Sequence, residues 1–323
     1  MDEFGFIAEY LSRLTGPEGL DLKDDVAVWQ PSTGFDAVIS MDTLVEGVHF
    51  PKGKFDAQIA QKLIAVNVSD IIAKGADPLG YLLSLSIPDN MKPETLSDFC
   101  RGFAAAQKSY KIKLWGGDTT RTSGPIVLSL TMIGIVPTGK AVLRSGAKPG
   151  DLLCVTGTIG DSYLGLRTLQ NQKDVDIVQT NFWLNKYHVP QPPYALRRAI
   201  RKYASASVDI SDGLLADAEH MVRASGVGMD IFLPAIPLST ASTAWVLEQP
   251  DHQTARLQLV SGGDDYQVLM CIAEQNFSRL KIQASGHKTN VTAIGKVVAG
   301  ANVSCRDSQG RRIPVTQPGF KHF

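Results

Sequence analysis

Residues 205–220, SASVDISDGLLADAEH, change character at their centre. The first four residues and Asp209 read as a β-strand, and the stretch from Leu214 onward reads as an amphipathic helix. A strand that feeds a helix through a short turn is the repeating step of an α/β fold. Asp209 and Asp212 stand at the changeover, among Val208, Ile210, Leu214 and Leu215. Carboxylates in such company are costly unless they are paired or bind metal. Aspartates in similar settings recur in LKDDVAVW (22–29), VISMDTLV (38–45), NVSDIIAKGADP (67–78), LWGGDTT (114–120) and SGGDDYQVL (261–269).

Working outward, the same alternation covers the chain. FDAVISMDTLV (35–45) predicts a strand and residues 56–78 a helix closed by Gly75 and Pro78. GYLLSLSIP (80–88) predicts a strand, 92–110 a helix with Pro93 near its start, and 112–118 and 125–137 two further strands. RSGAKPGDLLCVTGTIGDS (144–162) breaks the pattern with Gly146, Pro149 and Gly150, which divides the chain into domains 1–143 and 144–323. The second domain is expected to hold a strand at 151–156, helices near 160–170 and after HVPQPPYALRRAIRKY, and strands at 257–260 and 266–273. The fold class is α/β (α+β), with two mixed-sheet α/β domains. The triplet GGD occurs in both halves, at 116–118 and 262–264, a weak sign of related halves.

A chain of 323 residues suits about two domains. Lys+Arg and Asp+Glu both total 32, so no positive field favours general nucleic-acid binding. No apolar run reaches the roughly 18–20 residues of a membrane span. The stretch MDEFGFIAEYLSRL is acidic and amphipathic, which predicts a first helix and not a signal peptide. Cys100, Cys154, Cys271 and Cys305 are widely spaced and read as reduced core residues. A cytoplasmic location is expected.

The helix at 56–74 is the best physical clue. At about 100° per residue, Gln58, Gln61, Lys62 and Ser69 share one side and read as its solvent face. Asn67, Asp70 and Lys74 fall on the other side, where a second polar patch is either a buried hydrogen-bonded set, an inter-domain surface or the wall of a site. Asp42 follows the run Ala37–Met41, and Asp118 ends a strand through Gly116 and Gly117; strand ends present ligands in open sheets. A lone Asp at such a place is also a common turn former or helix cap, and Asp209, Asp212, Asp264 and Asp265 share that alternative. In the adjacent pair Asp24–Asp25 only one need face a site. Taken together, six or more carboxylates without matched cations repel one another unless cations occupy the cluster. An oxygen-only donor set suits Mg²⁺ or Ca²⁺, and Mg²⁺ recruits substrate phosphates, which predicts a nucleotide substrate.

GIVPTGKA (134–141) nearly spells a phosphate-binding P-loop, but Ala141 replaces the hydroxyl residue and Pro137 interrupts the loop. It reads as a turn leading into a short strand. TGTIGDS (156–162) reads as a closely packed strand–turn–helix junction. His49 lies between apolar residues and reads as a satisfied structural side chain. The other histidines show no metal-ligand spacing, and no Ser–His–Asp or Cys–His set is legible.

DDVAV, SMDTLVEGVHF, AVNVSDIIAKGADP, GGDTTR, LRSGAKPGDLLCVTGTIGDS, VDISDGL, SGGDDYQVL and GFKHF, in this order, resemble the thiamine-monophosphate kinase family. That family shares a superfamily with aminoimidazole ribonucleotide synthetase and selenophosphate synthetase. The resemblance implies an N-terminal ATP- and metal-binding domain that forms a homodimer through a shared β-barrel, and a C-terminal α/β domain closing over the nucleotide. It implies Mg²⁺-dependent transfer of phosphate from ATP to thiamine monophosphate, the last step of thiamine diphosphate synthesis, without nucleic acid or membrane partners. By position, Asp25, Ser40, Asp42, Asp70, Asp118, Asp209 and Asp212 match metal ligands, with Asp42, Asp70 and Asp118 nearest the chemistry. Gly117, Asp118, Arg144 and Ser211 match ATP contacts, and His49, Asp264 and Phe320 match the thiamine side. Lys23 stands where the family has Gly, Met41 where Thr or Ser is usual, and Asp264 where Glu is usual; the ending GFKHF departs from the common aromatic-DHF ending. Two other functions compete: a relative that activates another acceptor such as an amide oxygen or selenide, and a non-catalytic Mg·nucleotide sensor. The absence of Cys from the first 99 residues counts against the selenide version.

Overall fold

A computed structural model describes residues 6–22, 29–170, 177–315 and 319. The chain divides into two compact units, 1–71 with 76–141, and 72–75 with 142–323.

The first unit is built on a four-stranded sheet in the order β1–β4–β2–β3. Its strands are β1 (Phe35–Val45), β2 (Asp77–Ile87), β3 (Lys113–Arg121) and β4 (Val127–Pro137). β4 pairs antiparallel with β1 and β2, and β2 pairs parallel with β3. The parallel pair needs a crossover, which helix α2 (Pro93–Tyr110) supplies. Pro93 opens α2 at a position where no backbone donor is required.

Helix α1 (Ala57–Ala73) packs on this sheet beside α2, whose Phe103 stacks on Tyr81 of β2 at 5.9 Å. Asp98 of α2 accepts from Ala57 N at 3.0 Å, and Phe55 stacks on Phe99 at 4.0 Å. On the sheet side Asn67 and Asp70 bond to β1. Ile59, Leu63, Ile64 and Ile71 are fully buried, each contributing roughly 1.5–3 kcal/mol. Burial corrects the expected solvent face, because Lys62 is 1% and Ser69 0% exposed. The helix is therefore enclosed almost all round, as a central helix is. It also ends before Gly75, and Asp77 and Pro78 open β2 instead of closing the helix. Proline is tolerated near a strand's first residue.

The second unit carries a seven-stranded mixed sheet in the order β11–β10–β7–β9–β5–β8–β6. β5 (Leu152–Thr156), β8 (Val268–Ile272) and β6 (Ala204–Asp209) form the half that matters for the site. The remaining strands are β7 (Gly228–Phe232), β9 (Val291–Val298), β10 (Val303–Arg306) and β11 (Arg312–Ile313). Its helices are α3 (Asp161–Gln170), α4 (Ile177–His188), α5 (Arg197–Tyr203), α6 (Leu214–Ser225), α7 (Thr240–Leu247), α8 (His252–Ser261) and α9 (Glu274–Gly286). Residues 257–260, expected as a strand, are the end of α8. Asp251 caps this helix through Gln253 N and Thr254 N, and the cap decides against the short apolar alternation of Leu257, Leu259 and Val260. After the GIVPTGKA turn no strand follows until β5. All four cysteines are free and buried. Among the described residues no helix is long and apolar enough to cross a membrane.

Candidate active site

The first unit gathers three of the sequence-selected residues. β1 is eleven residues long, so Asp42 lies inside the strand and not after it. Ser40 and Asp42 share the face that α1 covers, because alternate residues of a strand point the same way. Ser40 Oγ donates to Asp70 Oδ2. Asn67 Oδ1 accepts from Asp42 N at 3.0 Å, and Asn67 Nδ2 donates to Leu63 O at 2.9 Å. The buried Asn67 thus locks α1 to β1 and sets Asp70 against Asp42. Burial, then the Asp70 charge, pushes the Asp42 carboxyl up to about 7. Two carboxylates at this range resist joint ionisation unless a cation joins them.

Asp118 is placed differently. β3 runs on to Arg121, so Asp118 lies within a strand and not at its end. Ser84 is its register partner, Ser129 partners Ser84, and Thr43 partners Ser129. The bonds Thr43–Ser129 (2.7 Å) and Ser86–Thr120 (2.9 Å) mark this as one face. It is the face opposite Asp42, whose partners are the buried Leu130 and then Leu83. Three strand spacings separate β1 from β3, roughly 14 Å. Asp42 and Asp118 of one chain therefore do not meet. The same open face carries Phe35, Ile39, Met41 and Leu82, with Ile39 63% and Met41 64% exposed. Gly117 has a packing reason as well, since a Cβ there would strike the Leu83 carbonyl.

His49 Nδ1 accepts from Val45 N at 3.0 Å, which ties the 46–50 turn to the end of β1. Asp25 and Phe320 lie outside the described residues. Gly319, beside Phe320, is buried against α6, where a Cβ would sit 2.6 Å from Asp212 O.

In the second unit two loops interlock. Asp209 ends β6 and is buried. Asp212 does not cap α6; the cap residue is Gly213, without a side-chain bond. Asp217, one turn into the helix, instead reaches back and accepts from Ser211 N at 3.0 Å and Asp212 N at 3.2 Å. Burial, then the Asp212 charge, pushes Asp217 up to about 7. Ligand atoms of Asp212, Asp217 and His220 all lie within 4.8 Å of one another. Asp217 and His220 were missed in the sequence, although their three-residue spacing puts both on one helix face.

The second loop, 262–266, bonds to the first. Asp264 N donates to Ser211 O and Tyr266 N to Ile210 O, both at 2.8 Å, while Ile210 N donates to Gln267 O at 2.7 Å. Gly263 allows this approach, because a Cβ would collide with Ser211 O. Asp265 is no turn former: its buried carboxyl accepts from Gly160 N at 2.8 and 3.0 Å, and burial raises its pKa well above the usual carboxylate range. The TGTIGDS junction is thereby a packed anchor for this loop. Arg144 belongs to the same unit: its carbonyl accepts from Ser225 Oγ at 3.0 Å, and the preceding Leu143 carbonyl accepts from Ser207 N of β6 at 2.9 Å. Lys74, grouped on the sequence with Asn67 and Asp70, is used elsewhere, donating to Ser207 O at 2.8 Å.

The AIR synthase related protein N-terminal domain family matches residues 23–136, and its C-terminal domain family matches residues 148–308. A thiamine-monophosphate kinase of Caulobacter vibrioides is 40% identical over 99% of this chain and 90% of its own length. The crystal structure of thiamine-monophosphate kinase from Stenotrophomonas maltophilia superposes with a TM-score of 0.82 at 33% identity, covering 90% of this chain and 91% of that one. An AaThiL structure complexed with AMPPCP and TMP gives 0.80 at 30% identity, over 99% and 97% of the two chains. With both domain families matched in order and the identity running nearly end to end, the chain belongs to the thiamine-monophosphate kinase family.

Proposed function

We propose that the protein transfers the γ-phosphoryl group of ATP to thiamine monophosphate, giving ADP and thiamine diphosphate. The observation that carries this reading is the Ser40–Asp42–Asp70 cluster, held by α1 against β1 in a chain that matches kinases of this reaction along its length. The acceptor is a phosphate monoester with a second pKa of about 6. Its attacking oxygen is ionised at pH 7, so no side chain need remove a proton. The γ-phosphorus–oxygen bond to ADP breaks as the bond to the acceptor oxygen forms.

The donor set fits Mg²⁺: it is made of oxygens, and the buried Asp42 carboxyl faces the like charge of Asp70. Mg²⁺, when bound, neutralises two polyanions and aligns them for in-line transfer. Asp42 and Asp70, with Ser40, would hold ions where the phosphates meet; Asp25, Asp209 and Asp212 would hold others. Gly117, Arg144 and Ser211 would contact ATP. His49, Asp264 and Phe320 would serve the thiamine side, where Asp264 attracts the cationic thiazolium and Phe320 stacks on it.

A homodimer joined through the open face of the first sheet accounts for the exposed Ile39 and Met41. It also gives Asp118 a role, since this residue shares that face and stands away from Asp42 of its own chain. Asp118 would complete the site of the partner subunit. In this reading residues 1–143 carry metal binding and dimerisation, and residues 144–323 carry the nucleotide and acceptor loops.

Product identification tests the proposal. Protein incubated with ATP, MgCl₂ and thiamine monophosphate should yield thiamine diphosphate and ADP in equal amounts, and neither after EDTA is added. Nucleotide binding without thiamine diphosphate would overturn it.

A further inference from the structure

Two non-glycine residues in the 262–266 loop adopt left-handed backbone, Asp264 at φ +68° and Tyr266 at φ +50°. For a bulky aromatic this conformation is a true outlier. Lys111, a third such residue, simply caps the end of α2. Tyr266 terminates no helix, and its conformation survives because the loop is fixed on both sides. The amides of Asp264 and Tyr266 donate to Ser211 and Ile210, and the Asp265 carboxyl between them grips Gly160 N. Such strain persists only where the surroundings over-determine it, and it gathers at working sites.

Here the strain has a visible product. The Tyr266 phenol donates to Asp264 Oδ1 at 2.9 Å, two residues back along its own chain. Extended backbone would send residues 264 and 266 along parallel directions without closing this bond. On α4, the buried Tyr187 also faces the acid: burial, and after it the Asp264 charge, pushes its phenol up.

We propose that Tyr266 is a positioning residue for the acceptor, whose phenol holds the Asp264 carboxylate toward the cationic heterocycle of the thiamine phosphate. This rests on the functional reading above, in which Asp264 serves the thiamine side. A carboxylate on a single methylene swings about two torsions, and a charge-assisted bond from a phenol pins one oxygen and so directs the other. Tyr266 then sets acceptor affinity without touching the phosphates or ATP.

A double-mutant cycle of Tyr266→Phe and Asp264→Asn tests this, with KM for thiamine monophosphate, KM for ATP, kcat and Tm measured on all four proteins. Tyr266→Phe should raise the acceptor KM about three- to tenfold, leaving the ATP KM, kcat and Tm near wild type. In the Asp264→Asn background the same change should add nothing. An acceptor KM unchanged in Tyr266→Phe overturns the proposal, as do effects that multiply in the double variant. A Tm loss accompanied by equal rises in both KM values makes Tyr266 a packing residue and overturns it too. Wild-type protein that makes no thiamine diphosphate overturns the functional reading and this proposal with it; wild-type turnover with an indifferent Tyr266→Phe overturns this proposal alone.

Discussion

Asp42 and Asp70 sit inside a strand and a helix, whereas Asp212 and Asp264 sit in loops that neither sheet nor helix fixes. The first pair is placed by register: β1 pairing with β4 sets the direction of Asp42, and Asn67 sets α1 against it. The loop acids are placed by backbone clamps. Asp217 holds the amides of Ser211 and Asp212, Asp265 holds Gly160, and Ser211 receives Asp264 N. Regular elements position a charge at little local cost, while loops need a buried carboxylate or a strained residue for the same precision. The two regions should therefore fail differently.

The largest effect is expected in the register-placed pair. Asp42→Asn or Asp70→Asn should lower kcat by at least about 10²-fold, as loss of a group that stabilises transferring charge does, with the circular-dichroism spectrum retained. Activity near wild type in both variants would remove them from the site. Next comes the question of which chain Asp118 serves. Asp42→Asn and Asp118→Asn proteins, each inactive alone, should recover about a quarter of wild-type activity when unfolded, mixed in equal amounts and refolded, because half of randomly paired dimers then hold one intact site. No recovery would mean that Asp118 acts within its own chain.

A clamp should fail more gently than a ligand. Asp217→Ala should raise the Mg²⁺ concentration for half-maximal rate about tenfold, the usual scale for a residue that orients a ligand, with a smaller change in saturated kcat. A Mg²⁺ titration decides this, and an unshifted midpoint would make Asp217 a fold residue only.

The smallest effect is a stability difference without metal. Asp42 has its carboxyl raised from 3.8 to about 7 in the folded state, so the native protein binds an extra proton between these values. Its contribution is full below pH 4 and is lost as pH rises toward 7. At pH 8 in EDTA, Asp42→Asn should therefore be more stable than wild type by about 1–3 kcal/mol, and the difference should vanish near pH 4. Mg²⁺ should raise the Tm of wild type at pH 8 more than that of the variant, which keeps only the other ion sites. Denaturant titrations at the two pH values measure the sign.

Much of the fold was legible in residue order. The strand at 35–45 and the helix from Pro93 to Tyr110 follow from apolar periodicity and from Gly and Pro punctuation, which are local. The aspartates stood out because carboxylates among Val, Ile and Leu violate a local rule whatever the fold. Short segments were less certain: Leu257–Val260 alternate like a strand, and only the Asp251 cap resolves them as helix.

What the sequence determined by itself was the set of elements and the chemistry of the acids, because hydrophobic period and residue type act over a few residues. What only the tertiary structure decided was which side chains share a face. Lys62 and Ser69 lie on the polar side of α1 by periodicity, yet α1 is covered almost all round and both are buried. Asp118 belongs with Asp42 by motif, yet β4 and β2 stand between them and the register turns it to the other face. Asp217 and Tyr266 gain meaning only from the backbone they hold and the acid they touch. Such relations depend on pairings between residues far apart in the chain, and a one-residue shift of a strand would reverse them.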